Sequence, residues 1–384
     1  MKEWKKYKLG EILTVKYGKD HKKLDAGSIP VYGSGGLMRF VNSYICDSPS
    51  ILIPRKGSLN NVMYVEHPFW TVDTMFWTII DTTIAVPRFV YYAICKIDFE
   101  SLNVGSAVPS MTVPIIEDIE IFLPSLDEQI RIVKVLSSLE SKIELNRQIN
   151  DNLEQQAKAL YKSWFVDFEP FKEGKFIESE LGVIPEGWSI GKIEDLTTRM
   201  ASGGTPKSMN PDFYSGNICW FTTKELTDGF LIDSEKHISQ SAIENSAAKV
   251  FPKGSVLMAI YAAPTVGRLG ILSCDAAFNQ AAVALIPKTG IGPGYIYLTL
   301  YNERNNFNNL SSGAAQQNLN VGLVRNYPTC IPPQDVLADF ENKILPIFNN
   351  IERNQIEISN LTTLRDTLLP KLMSGELKIN EIDC

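Results

Sequence analysis

Hydrophobic and polar positions follow two regimes along this chain, and each regime occurs twice. One face steps by four and three residues through Leu139, Ile143, Asn146, Asn150, Leu153, Ala157, Leu160 and Trp164. The same steps return through Ile347, Ile351, Asn354, Ile358, Leu361, Arg365 and Leu368, at a constant offset of 208 residues. Steps of this kind keep side chains on one side of an α-helix, and sustained over several heptads they predict a coiled-coil seam. Asn146 and Asn354 occupy matching places in the two seams. A buried asparagine lowers stability but fixes register, so the matched pair predicts that the two helices pack on each other. The alternative is two independent amphipathic surface helices. The repeat is wider than the seam: Gly105 to Phe171 and Gly313 to Ile379 each run through a polar glycine loop, an apolar strand, a proline and the long helix.

The second regime is short apolar runs, rich in β-branched and aromatic residues and separated by glycine turns, such as Ile51 to Ile53 and Phe76 to Ile80. These predict strands. A short helix is expected from Pro87 to Lys96, with proline at its start. Pro124 closes the last strand, Asp127 and Glu128 favour a helix start, and the heptads carry that helix to about Trp164. Its counterpart runs from about Val336 to Leu369. Pro170, Gly174, Gly182, Pro185 and Gly187 break the chain between the halves. Beyond them the opening pattern returns, with Trp188, Lys192, Ile193, Asp195 and Leu196 where Trp4, Lys8, Leu9, Glu11 and Ile12 stood. Further along, Ile51 to Ile53 match Val256 to Met258, and Thr74 to Phe76 match Gln280 to Ala282. The expected fold class is α+β: strand-rich regions at 1–124 and 188–332, helices at 125–168 and 333–374, a linker at 169–187 and a tail at 375–384.

Composition is that of an ordinary soluble chain, with no membrane-length apolar run. The lysine-rich start lacks the apolar core of a signal peptide, so a cytoplasmic location is expected. Six cysteines and three histidines (His21, His67, His237) are scattered without a CxxC pair, so neither a disulfide framework nor a metal site is expected. The net charge of -7 argues against nucleic acid only if charge is evenly spread. It is not: residues 1–61 hold eleven Lys and Arg against five Asp and Glu.

Catalytic motifs are missing. Gly33 to Gly36 lacks GxGxxG spacing and a Walker lysine and reads as a turn around Ser34, and Ile331 to Gln334 resembles a methyltransferase tetrapeptide only in its prolines. GxSxG and HExxH are absent. Polar loops carry more. Lys19, Lys22 and Lys23 form one group, and Arg55, Lys56, Ser58, Asn60 and Asn61 form another directly after an apolar strand. The second half offers Thr205, Lys207, Ser208, Lys224, Tyr261 and Arg268, then Gln316, Gln317 and Asn318. Lysine suits phosphate, while arginine and asparagine suit base edges; each residue alone is plain surface, and the recurrence in both halves makes the set a DNA-binding candidate.

Several stretches in this order resemble the DNA specificity subunit of type I restriction-modification systems: WKKYKLGEI (4–12), LPSLDEQIRIVKVL (123–136), LYKSWFVDFEPF (160–171), IPEGWSIGKIEDL (184–196), FNQAAVALIP (278–287) and LRDTLLPKLMSGELKI (364–379). The resemblance implies two target-recognition domains, each reading half of a bipartite site in double-stranded DNA. It implies an antiparallel coiled-coil spacer between them, in a pseudo-twofold repeat. It also implies that methyltransferase subunits, expected to number two, and restriction subunits supply catalysis together with S-adenosylmethionine, ATP and magnesium, so that this chain is expected to hold no cofactor. One departure is Asp335, Val336 and Leu337 where the first copy has Asp127, Glu128 and Gln129, which makes partner contacts at the two helix starts unequal. The competing readings are a stand-alone nucleic-acid-modifying enzyme and a coiled-coil protein scaffold.

Overall fold

Apolar runs buried on both faces form the middle layer of each strand-rich region. The computed structural model describes residues 4–105, 108–261, 264–311 and 319–379. They pack as two units, one built from residues up to 142 together with those from 361 onward, the other from 143–360.

In the first unit the central sheet orders Leu13–Tyr17, Met75–Ile80, Ser50–Pro54 and Met63–Val65, all antiparallel. Successive side chains on a strand point to opposite faces. Ile51 and Ile53 therefore enter one core with the helix Pro87–Ile94 and with Ile132, Leu136, Leu369 and Leu372 of the long helices. Leu52 enters another, with Val31, Val41 and Phe69. That second core is closed by a small sheet of Gly36–Val41, Ile29–Gly33 and Trp70–Thr71. Chain entry and exit are tied by Lys5–Lys8 pairing with Glu120–Leu123.

The second unit repeats this plan. Thr197–Ser202, Ala282–Pro287, Val256–Ala259 and Leu269–Leu272 follow in the same order, with Gly229–Leu231 added at the edge. Val256 and Met258 face a helical core that includes Ile296, Leu300 and Phe340. Leu257 and Ala259 face Phe221, Phe251 and Phe278. The small sheet is His237–Ile238, Ile218–Phe221 and Ala277–Phe278, and Ser189–Lys192 pairs with Pro328–Ile331. One detail of the expected repeat needs correction. Pro54 lies opposite Met75 and Ala259 opposite Ala282, so Met75 corresponds to Ala282, one residue beyond the match made on pattern. A run buried on both faces has no polar alternation to reveal a one-residue slip.

Both long helices have 40 residues, Leu126–Phe165 and Gln334–Met373. Within 143–360 they pack antiparallel, with Ile143, Asn146, Asn150, Ile351 and Asn354 buried between them. Asn354 Nδ2 donates to Asn150 Oδ1 at 2.9 Å, and Asn146 Nδ2 donates to Glu357 Oε2 at 2.8 Å. The two matched asparagines are thus both buried, each bonded to a different residue of the facing helix. Leu153, Leu160 and Ile347 are half-buried, while Tyr161, Phe165 and Phe348 take the buried places. In the other unit Leu139, Leu361 and Leu368 are half-buried and Leu136 and Leu369 buried. A 3.6-residue turn drifts off a seven-residue repeat, and here the helix ends serve the neighbouring sheet cores instead of the seam. Among the described residues, no helix is long and apolar enough to cross a membrane.

The departure at the helix starts has a structural reason. Gln129 is fully buried, accepts from Val86 N at 2.8 Å and donates to Pro124 O at 3.0 Å, tying the helix to its sheet region. Leu337 is instead packed in the apolar core of its unit, and Gln334 Nε2 donates to Gly290 O at 3.0 Å.

Asn150→Ala strands the buried Asn354 amide and is expected to cost about 1–3 kcal/mol, whereas joint replacement of Asn150 and Asn354 by Leu recovers most of that loss. Urea unfolding of the two single variants and the double variant checks this; additive losses would show that the pair is not coupled.

Candidate nucleic-acid interface

The loops at one end of the first sheet pair are held together mainly by backbone. Gly18 N donates to Met75 O and Lys19 N to Thr71 O, Arg55 N donates to Thr74 O, Gly57 N to Pro109 O, and Met111 N to Arg55 O. Gly18 has no room for a side chain, since a Cβ would lie 2.0 Å from Val72 O. Two indoles brace the same loop, Trp77 Nε1 to Tyr17 O and Trp70 Nε1 to Lys19 O. Lys19, Lys22, Lys23 and Lys56 are exposed there. Arg55 is half-buried, its guanidinium 5.5 Å from the centre of the exposed Tyr17 ring and donating to Asp73 O. Tyr17 was not among the residues expected from sequence; it ends a strand of alternating burial.

Two of the expected contact residues are engaged within the fold. Asn61 Nδ2 donates to Ser34 O at 2.8 Å, fixing the Ser34 turn against the Arg55–Asn61 loop. Asn60 bonds Asp98 Oδ1 and accepts from Glu100 N. Both amides thus help to hold the framework of the loop, beside its exposed cations. Ser34 is half-buried in that turn, and a Cβ on Gly57 would lie 2.9 Å from its hydroxyl.

Equivalent bonds build the second cluster: Gly204 N to Phe278 O, Asn279 N to Phe221 O, Ile260 N to Ala281 O and Leu319 N to Ile260 O. Position by position, Ile260 stands where Arg55 does and Tyr261 where Lys56 does. Tyr261, Lys207 and Thr205 are exposed, and Thr205 Oγ1 bonds Gln280 Oε1, so Gln280 joins the set. Arg268 is half-buried and closes a turn with its N donating to Thr265 O. Just beyond it Leu269 is clasped by Asp228, whose carboxylate accepts from Leu269 N and from both terminal nitrogens of Arg304. Lys224 is paired with Glu235, which raises its pKa, so this lysine's charge is already answered within the fold. Gln316 and Gln317 lie outside the described residues.

Folding also unites residues that sequence spacing keeps apart. Cys219 Sγ lies 3.6 Å from Asp233 Oδ1 and 3.7 Å from His237 Nε2, and the last two atoms are 2.9 Å apart. Burial pushes the Cys219 thiol up to about 11. Strand pairing, not a short motif, makes this cluster, since Cys219 and His237 are cross-strand partners.

Two copies of one fold, each presenting a loop cluster with its own side chains, define a duplicated loop-presenting scaffold. The model of the type I restriction modification DNA specificity domain matches residues 1–155 and again 185–366, and the chain belongs to that family. It is a specificity subunit rather than a catalytic one. Over 341 residues it is 28% identical to the type I restriction enzyme MjaIX specificity subunit of Methanocaldococcus jannaschii, spanning 87% of this chain and 78% of that one. It is 26% identical over 330 residues to the HindI specificity subunit of Haemophilus influenzae, spanning 70% and 71%. Its fold is similar to a solved S subunit from M. genitalium, with a TM-score of 0.66, 17% identity and 96% of each chain covered.

Asn61→Ala should cost about 1 kcal/mol of stability by freeing the Ser34 turn, whereas Lys56→Ala should leave stability within about 0.5 kcal/mol. Thermal unfolding of both variants separates the framework residue from the displayed one; equal losses would refute the distinction.

Proposed function

We propose that this chain is the DNA-recognition subunit of a type I restriction-modification complex. Each loop cluster reads one part of a two-part site in double-stranded DNA, and methyltransferase and restriction subunits, carrying S-adenosylmethionine, ATP and magnesium, act on the DNA so selected. The observation that carries this reading is the pairing of one framework with two unlike loop sets. The same backbone bonds present Arg55 and Lys56 in one copy and Ile260 and Tyr261 in the other. A duplicated catalyst would repeat its chemistry; a duplicated reader repeats its frame and varies its loops.

The charges divide the labour. Lys19, Lys22, Lys23, Arg55 and Lys56 of the first cluster outnumber Asp20, Asp25 and Asp73 in the same loops, an excess of cations suited to phosphate. The second cluster has Lys207 and Arg268, with Lys224 already paired. Affinity then comes mainly from the first copy, and Arg268, Tyr261 and Gln280 weigh more on sequence choice.

Lys56→Ala is expected to weaken cognate and scrambled DNA alike and to lower the salt slope of binding by about one. Arg268→Ala should relax one half-site only, at about 1–3 kcal/mol. Anisotropy titrations of the assembled complex across salt concentrations, with half-site-substituted duplexes, test both. Equal weakening by Arg268→Ala on all duplexes would assign it to phosphate and remove it from the readers.

The purified chain is further expected to bind neither S-adenosylmethionine nor ATP. Calorimetry showing micromolar binding of either to the isolated protein would favour the stand-alone enzyme reading.

A further inference from the structure

The second strand-rich region holds a donor cluster that DNA reading leaves unused. Cys219, on Ile218–Phe221, lies directly opposite His237, on the two-residue strand His237–Ile238. Asp233 sits in the connection between these strands. A tetrahedral zinc with Zn–S of about 2.3 Å and Zn–N or Zn–O of about 2.0–2.1 Å has ligand edges of about 3.3–3.6 Å. The three edges here are 3.6, 3.7 and 2.9 Å. The short one is the hydrogen bond between Asp233 and His237, which has to open by a few tenths of an ångström to admit a metal.

The surroundings hold these donors in place. Ser234 is buried, accepts from Trp220 N and donates to Lys236 O, which fixes the strand of Cys219 to the segment of Asp233 and His237. Asp233 Oδ1 also accepts from Ser234 N at 2.8 Å. Such outer bonds orient the ligands of a metal centre. Cys219 itself packs against the apolar core of Phe221, Phe251 and Phe278, which anchors its strand. In the first region the equivalent cross-strand pair is Pro30 opposite Phe40, two side chains with no metal-binding atom. The donors are therefore a property of the second copy alone, superimposed on a framework that does without them.

We propose that Cys219, Asp233 and His237 form a divalent transition-metal site, with zinc as the metal. Thiolate and imidazole select zinc over magnesium or calcium, which take all-oxygen sets. The ion would brace the short His237–Ile238 strand against Ile218–Phe221, and so steady the Thr222–Glu225 turn that follows, the counterpart of the Ser34 turn. Binding would displace the thiol proton of Cys219 to solvent and leave the thiolate on the metal.

Cobalt reports the site directly. Full-length protein is kept reduced, stripped with a chelator and titrated with Co²⁺, then with Zn²⁺. One equivalent of cobalt should bind with a sulfur-to-metal charge-transfer band and the strong visible bands of tetrahedral coordination, and zinc should displace it. Cys219→Ser and His237→Gln should each abolish the charge-transfer band. Cys46→Ser, removing a thiol of the first region, should keep it. Circular dichroism establishes that each variant is folded before titration. A wild-type chain without the band, or a band that survives in folded Cys219→Ser, would overturn the proposal.

Discussion

Everything in each half depends on a four-strand antiparallel core whose two faces are both buried. Because Ile51 and Ile53 go one way and Leu52 the other, the sheet is fastened simultaneously to a helical layer and to a small second sheet. Neither layer can be shed without exposing the apolar face of the middle one. The edge loops are thereby fixed at both of their ends, and their backbones bond one another at places such as Arg55 N to Thr74 O and Ile260 N to Ala281 O. A loop so anchored can change its side chains without changing its course. That is the physical basis on which one fold can present a basic surface in one copy and a nearly neutral one in the other.

Sequence pattern made the helices and the duplication legible because both rest on periodicity. The seam centre around Ile143, Asn146, Asn150, Ile351 and Asn354 is buried where the steps of four and three put it. Toward the ends the pattern misleads by one position, with Leu160 half-buried and Tyr161 buried, because there the partner is a domain core and not a helix. Polar loops were legible as a set but not residue by residue. Asn60 and Asn61 look like base readers in sequence, yet a side-chain amide serves a neighbouring carbonyl as readily as a base, and only folding shows which neighbour is present. Cys219, Asp233 and His237 were invisible for a related reason. Their proximity arises from an antiparallel register across a loop, and no short spacing encodes it.

Gln129 and Leu337 illustrate how a repeat diverges without losing its frame. Gln129 supplies hydrogen bonds to a buried turn that would otherwise hold an unpaired Val86 N–H. Leu337 supplies apolar area to a core already rich in aromatics, where Tyr161 and Phe165 each meet Phe340 edge to face. A buried polar side chain is tolerable only when its partners are complete, so neither residue can simply replace the other.

The net charge of the chain and the chemistry of its loops pull in opposite directions, and the resolution lies in where the acids are spent. Glu140, Glu154, Asp228 and Glu235 each answer a cation within the fold, at Arg88, Lys158, Arg304 and Lys224. These pairs consume positive charge on the helices and in both regions, while Lys19, Lys22, Lys23 and Lys56 of the first loop cluster stay exposed. A polyanion approaching the chain meets that cluster's local field, not the sum over the whole molecule, because charges more than about 8 Å away are screened at physiological salt. Segregation of charge, more than its total, decides what such a surface attracts.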